Sequence, residues 1–449
     1  MQVVRAEPIT GSVNGHERTQ AVMNVAVSTL GGTDTEPDTH EVPTSRLRSR
    51  AEAEAYVASV CFKHGPPRLL GTELEWTVHH ACDPRRPLCP DTLTRALGPY
   101  APPTLNPDSP HRELPGGSRI TVEPGGQVEI SSPVHASMTE LFRTVSTDTA
   151  HTRDLLGRAG LVLGDHGLDP WRTPRRLLNS PRYAAMEHSF NRIGSAGKRM
   201  MCNTAGVQVC LDAGEPARVA ARWQALHALG PVFTAVFANS RLSLGRETGW
   251  ASARARCLLH TDPPRTSPAP TSTDPALDWA RYALDAPVVC RRRENGDWTP
   301  PCGASFAEWI AGAFGDAPDR QDLDYHLSTM FPPVRPRGYL EVRYIDAQPG
   351  DRWMVPVAAL AALFRSETVV DKVLEETAAV AHSWIPAARD GLRNPELARA
   401  AAAVFDLACR CLEAAPDAPE GLAERVDTFV HGRLDHGRRQ SGDTEGEHW

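Results

Sequence analysis

Four short segments lying far apart in the chain alternate apolar side chains with carboxylate, amide or guanidinium ones. That period of two constrains the fold more than any other feature. In GTELEWTV (71–78), Glu73 and Glu75 share one face and Leu74, Trp76 and Val78 the other. In EPGGQVEIS (123–131), Gln127 and Glu129 oppose Val128 and Ile130, with Glu123 just before a Gly-Gly turn. In TAGVQVCLD (204–212), Gln208 opposes Val207, Val209 and Leu211, and in YLEVRYI (339–345) Glu341 and Arg343 oppose Leu340, Val342 and Tyr344. Each segment reads as a strand with one buried face. Helical stretches and long loops separate them, without regular βα alternation; no GxGxxG follows a strand and no GxxxxGK[ST] occurs. The expectation is an α+β fold with an antiparallel or mixed sheet.

For any one segment alone, a polar face turned to water is the simpler explanation. Together the four are unusual, because these faces nearly lack the Lys, Thr and Ser of solvated strands, and Glu is not a favoured strand residue. If the faces converge in one sheet, carboxylates two residues apart lie roughly 7 Å from each other. At an effective dielectric near 20, each ionised pair then repels by about 2.4 kcal/mol, and a marginally stable fold spares little for several such pairs. A positive species should sit among them. Oxygen donors without His or Cys suit hard divalent cations, above all Mg²⁺. Mg²⁺ on an open sheet face can hold a nucleotide triphosphate where no P-loop exists.

At 449 residues the chain has room for one large domain or two to three ordinary ones. With 48 Lys+Arg against 55 Asp+Glu the net charge is −7, which argues against nucleic acid as a partner. No window resembles a membrane span, and the first residues lack the basic and apolar pattern of a secretory signal, so a cytoplasmic protein is expected. The 10 cysteines include no CxxC and read as buried thiols. Residues 1–45 read as a flexible extension, 46–435 as a single catalytic domain with C-terminal helices over 353–435, and 436–449 as a polar tail. Helices are expected over 51–62, 138–157, 216–239, 353–382, 395–413 and 419–434. The Pro-rich stretches 83–115 and 262–276 read as loops, and 164–190 as irregular. Trp171 and Tyr183 in that last segment read as packed aromatics, with a place in the cysteine pocket as the alternative, and His79, His80 and His326 as structural or solvated.

GTELEW (71–76), ITVEPGGQVEISSP (120–133), RMMCNTAGVQVCLD (199–212), ANS (238–240), SARARCLLHTDPPRT (252–266) and YLEVRYIDAQPGDRW (339–353) resemble, in order, the motifs of plant- and bacterial-type glutamate-cysteine ligases. The resemblance spans roughly residues 68–355. It is closest to the bacterial branch whose γ-glutamylcysteine feeds ergothioneine synthesis. It implies a glutamine-synthetase-like carboxylate-amine ligase fold, an antiparallel sheet funnel flanked by helices that holds ATP and Mg²⁺. It implies the reaction too: ATP phosphorylates the γ-carboxylate of L-glutamate, and the amine of L-cysteine displaces phosphate.

Carried over by the resemblance, Glu73, Glu75, Glu123, Glu129, Gln208 and Glu341 would bind metal. Glu341 and Arg343 would be catalytic, Arg343 and Arg265 would hold the nucleotide, and Arg254 and Arg256 would reach substrate; Asn203 reads equally as a cap of the strand turn and as a substrate contact. Between Arg254 and Thr261 the family's aromatic is replaced by Cys257, Leu258 and Leu259. A monomer acting on small molecules is expected, with a ligase for another amine and a non-catalytic ATP-Mg²⁺ binder as the alternatives.

Overall fold

The computed structural model describes residues 46–442 apart from 295 and 302. The extension over 1–45 and the end of the tail, 443–449, lie outside the described residues. Six strands form one sheet: β1 (Leu70–Trp76), β3 (Arg119–Val122), β4 (Val128–Ser131), β6 (Gly206–Leu211), β9 (Val334–Pro336) and β10 (Leu340–Asp346). Their order is β3-β4-β1-β6-β10-β9, with every pairing antiparallel. Two small pairs stand apart, β2 (Val78–His80) with β5 (Leu161–Leu163) and β7 (Leu242–Ser243) with β8 (Arg246–Glu247). The period of two therefore yields the α+β, antiparallel architecture expected.

The apolar face of the sheet, with Leu74, Trp76, Val128, Ile130, Val207, Val209, Leu340, Val342 and Tyr344, is buried. Helix Val219–Val236 covers part of it: the helix is apolar nearly all round and buried along most of its length, as a core helix must be. Tyr344 Oη donates to the Leu226 carbonyl, tying sheet to helix. Between Val342 and Ile345 the register against β6 shifts, so β10 carries a bulge at Arg343 and Tyr344. Bulges next to functional sites re-aim side chains.

Several expectations need correction. The single helix over 353–382 is instead Met354–Leu363 and Glu367–Thr377, bent by 112° across the break. The apolar run ends where Arg365 and Ser366 emerge into solvent, and the bend lets both segments bury their apolar sides. No single helix among the described residues is long and apolar enough to cross a membrane. The first part of the expected tail, 436–442, belongs to helix Leu422–Gly442. The stretches expected as loops or irregular hold helices Pro90–Leu97, Pro181–Asn191 and Pro263–Thr266, and helix Pro275–Asp285 starts at the end of one; all four open on proline. Of the described cysteines, six are buried, Cys82 and Cys89 are exposed and none is in a disulfide; Cys302 lies outside the described residues.

Candidate active site

The polar row runs across the middle of the sheet. Glu73 and Glu75 project from β1; Glu75 sits directly opposite Glu129 on β4, and Glu73 directly opposite Gln208 on β6. Directly opposed side chains on antiparallel strands approach to about 5 Å at Cβ, where like charges destabilise. Gln208 relieves part of this: its Nε2 donates to Glu75 Oε1 at 2.7 Å and Glu129 Oε2 at 3.4 Å, while its Oε1 accepts from Arg343. An amide can donate to a carboxylate and accept from a guanidinium at once, which a glutamate could not. Thr121 Oγ1, opposite Glu129 on β3, donates to Glu129 Oε1 at 2.6 Å.

Glu123 enters from the turn after β3. Gly126 there has φ +89°, and a Cβ on Gly125 would lie 2.0 Å from the Cys202 carbonyl oxygen, so the Gly-Gly pair is what lets this turn close. Gln127 does not join Glu129 at the polar row as a free side chain. Its Oε1 accepts from Gly125 N, and its Nε2 donates to the Met201 and Thr204 carbonyls, clamping the turn to the segment before β6.

Burial first, then the neighbouring carboxylates, pushes the Glu73 and Glu123 carboxyls up to about 7 and that of Glu129 well above the ordinary value. Glu341 goes the other way. Burial alone would raise it, but Arg335, Arg343 and Arg337 override that and hold it far below the usual carboxylate range. Arg335 donates to both Glu341 oxygens (2.7 and 3.2 Å), Arg337 to Oε1 (3.1 Å) and Arg343 to Oε2 (2.9 Å).

The cleft is therefore polarised. By strand order, carboxylates of β1, β4 and the β3–β4 turn lie on one side and Arg335, Arg337 and Arg343, on β9, β10 and the turn between them, on the other; Arg182 and Arg254 from neighbouring helices also line the cleft. A hard cation fits the first side and a polyphosphate or carboxylate the second. Among the described residues no three His, Cys, Asp or Glu side chains already surround a single metal point. The donors are right for Mg²⁺, which needs few protein carboxylates when phosphate and water complete its shell.

The structure brings Glu73, Glu75, Glu123, Glu129, Gln208, Arg254 and Arg343 to this cleft. Four other residues expected at the site do not line this cleft. Glu341, expected to bind metal, has both oxygens taken by arginines and is wholly buried. Arg265 is buried away from the cleft and spends its donors on Asp262, Thr329 and the Pro287 carbonyl. Arg256 is exposed over Trp250, because residues two apart on helix Ala253–Leu259 cannot share the face of Arg254. Asn203 turns to the Arg172 carbonyl at 2.8 Å and does not line the cleft. Trp171 lies under Arg85, off the cleft, while Tyr183 lines it. Sequence reasoning missed Arg182, Arg335 and Arg337. The alternation of RPRGYLEVR held the signal for the last two, since a turn at Gly338 sets Arg335 opposite Glu341.

The raised carboxyls set a pH dependence. A folded-state value near 7 against an ordinary 4.5 means their stabilising contribution is complete below about 4.5 and is lost as pH rises through about 7. The metal-free protein should lose a few degrees of melting temperature between about pH 5 and 8. Added Mg²⁺ should restore more at the upper end than at the lower, because the metal competes with protons. Thermal melts in EDTA and in Mg²⁺ check this; a flat profile would contradict it.

Glutamate-cysteine ligase family 2 (GCS2) matches residues 69–443. The chain is 38% identical over 393 residues to the glutamate-cysteine ligase EgtA of Mycolicibacterium smegmatis, covering 85% of this chain and 88% of that protein. It is 36% identical over 406 residues to EgtA of Mycobacterium tuberculosis, covering 87% and 89%. The solved glutamate-cysteine ligase of Francisella tularensis, in complex with AMP, shares the fold with a TM-score of 0.51 at 15% identity, covering 85% of this chain and 84% of that one. The chain therefore belongs to the glutamate-cysteine ligase family 2 and is an enzyme of that type.

Proposed function

We propose that this enzyme uses ATP to join the γ-carboxylate of L-glutamate to the amine of L-cysteine, and that the γ-glutamylcysteine formed feeds ergothioneine synthesis. A carboxylate resists amines until one of its oxygens becomes a leaving group. Phosphorylation supplies that leaving group as γ-glutamyl phosphate, and the amine then expels phosphate. The observation that carries the reading is the polarity of the cleft, a carboxylate side facing an arginine side on one sheet. Glu73, Glu75, Glu123, Glu129 and Gln208 would hold Mg²⁺, which supplies charge neutralisation of the triphosphate. Arg343 presents a planar donor to the transferring phosphoryl group, and Arg254 takes a substrate carboxylate. The glutamine-synthetase-like funnel, a single catalytic domain, a monomer and a cytoplasmic location belong to the same reading.

The test is ADP release over pairs of amino acids. Glutamate with cysteine should give release that neither gives alone. Release with another amine but not cysteine would shift the acceptor, and ATP binding without turnover would leave a non-catalytic binder.

A further inference from the structure

Beyond the cleft, one buried carboxylate is tied to a cleft residue without reaching the cleft itself. Asp346, at the end of β10, is 2% exposed and does not line the cleft. Its Oδ2 accepts from Ser240 Oγ at 2.7 Å and from the Asn239 backbone N–H at 2.8 Å, and its Oδ1 accepts from Ser252 Oγ at 2.9 Å. Both serines hold the helix that carries Arg254. Ser252 caps that helix by accepting from Ala255 N at 3.0 Å, and Ser240 Oγ accepts from Arg254 N at 3.0 Å. The Asp346 carboxylate also lies 3.9 Å from Arg254 Nη1, the only acid within that distance of this guanidinium among the described residues.

Arg254 itself is 4% exposed. Its Nη2 donates to the Arg343 carbonyl at 3.0 Å, while Nε and Nη1 make no hydrogen bond. The side chain is fixed on its far side as well: a Cβ on Gly206 would lie 2.3 Å from Nη2. A buried guanidinium with two idle nitrogens, held at a cleft wall by an acid too distant to satisfy them, is arranged to receive an anion.

We propose that Asp346 is a positioning residue for the ligation: from behind the cleft it fixes the guanidinium of Arg254, which lines the cleft, for the carboxylate of an amino-acid substrate. This rests on the reading of Arg254 as a substrate ligand. Asp346 acts only through Arg254 and the first turn of its helix, so its loss should appear in amino-acid affinity and not in nucleotide affinity.

Asp346→Asn keeps the shape and removes the charge. The KM of L-glutamate or of L-cysteine should rise about tenfold or more while the KM of ATP stays within about twofold. In an Arg254→Lys background the same change should add little, because the two residues act as one unit. Ser240→Ala removes one hydrogen bond from Asp346 and the acceptor for Arg254 N while leaving both charges; it should raise the same KM several-fold, and decides the matter if Asp346→Asn does not fold. A change in melting temperature with both KM values unmoved, or full additivity with Arg254→Lys, would overturn the proposal. If wild-type enzyme releases no ADP with glutamate and cysteine, the function reading fails separately, and the same KM split is then measured on whichever amino acids do support release.

Discussion

Glu341→Gln is expected to cost the fold about 3–5 kcal/mol, as breaking a buried ion pair by removing one partner does. The carboxylate is 0% exposed and is the shared counter-ion of Arg335, Arg337 and Arg343. Removing its charge leaves three guanidinium groups crowded together without the acid that hydrogen-bonds all three, and an amide can accept from only part of the fork of donors. Denaturant unfolding measures the loss. A cost below about 1 kcal/mol would show that the arginines are neutralised from elsewhere, with Glu73 and Glu75 the candidates.

Glu129→Gln is expected to behave in the opposite way. Burial and three neighbouring glutamates push this carboxyl well above its ordinary value, so in the metal-free protein its surroundings favour the neutral form. A neutral amide of the same shape, still within reach of Thr121 and Ser131, should leave metal-free stability unchanged or slightly raised. Activity should not survive, because an amide lacks the negative charge that a cation needs. ADP release should fall by about 10²–10³-fold, the scale of removing one electrostatic contact to a transferring group. Melting curves and ADP release on the same preparation separate the two effects. Parallel loss of both would make Glu129 a structural residue.

Two glutamates that look alike in sequence thus have opposite physical roles, and the difference lies in what their sheet neighbours contribute. The strands themselves were legible, because a period of two with one apolar face has few other solutions, and the same alternation gathered Glu73, Glu75, Glu129 and Gln208 onto one surface. What the alternation cannot give is which strand lies beside which. β9 is three residues long, and its pairing sets Arg335 opposite Glu341, where the guanidinium takes both carboxylate oxygens.

Proline misled in a different way. Pro90, Pro181, Pro263 and Pro275 make their stretches read as loops, but each occupies the first turn of a helix, where proline loses no hydrogen bond. Arg182 and its contact with Ser328 were hidden by that error. Arg256 and Arg265 were hidden in the opposite sense: with only three lysines among 48 basic residues, arginine serves surface, core and site alike, and only the direction of each side chain distinguishes them.

The central proposal is that the polarised sheet face activates a γ-carboxylate for attack by an amine, and the product carries the answer. Incubated with ATP, Mg²⁺, L-glutamate and L-cysteine, the enzyme should yield one γ-linked glutamylcysteine for each ADP, identified by mass and by fragmentation. ADP released without dipeptide, or a dipeptide joined through the α-carboxylate, would contradict it.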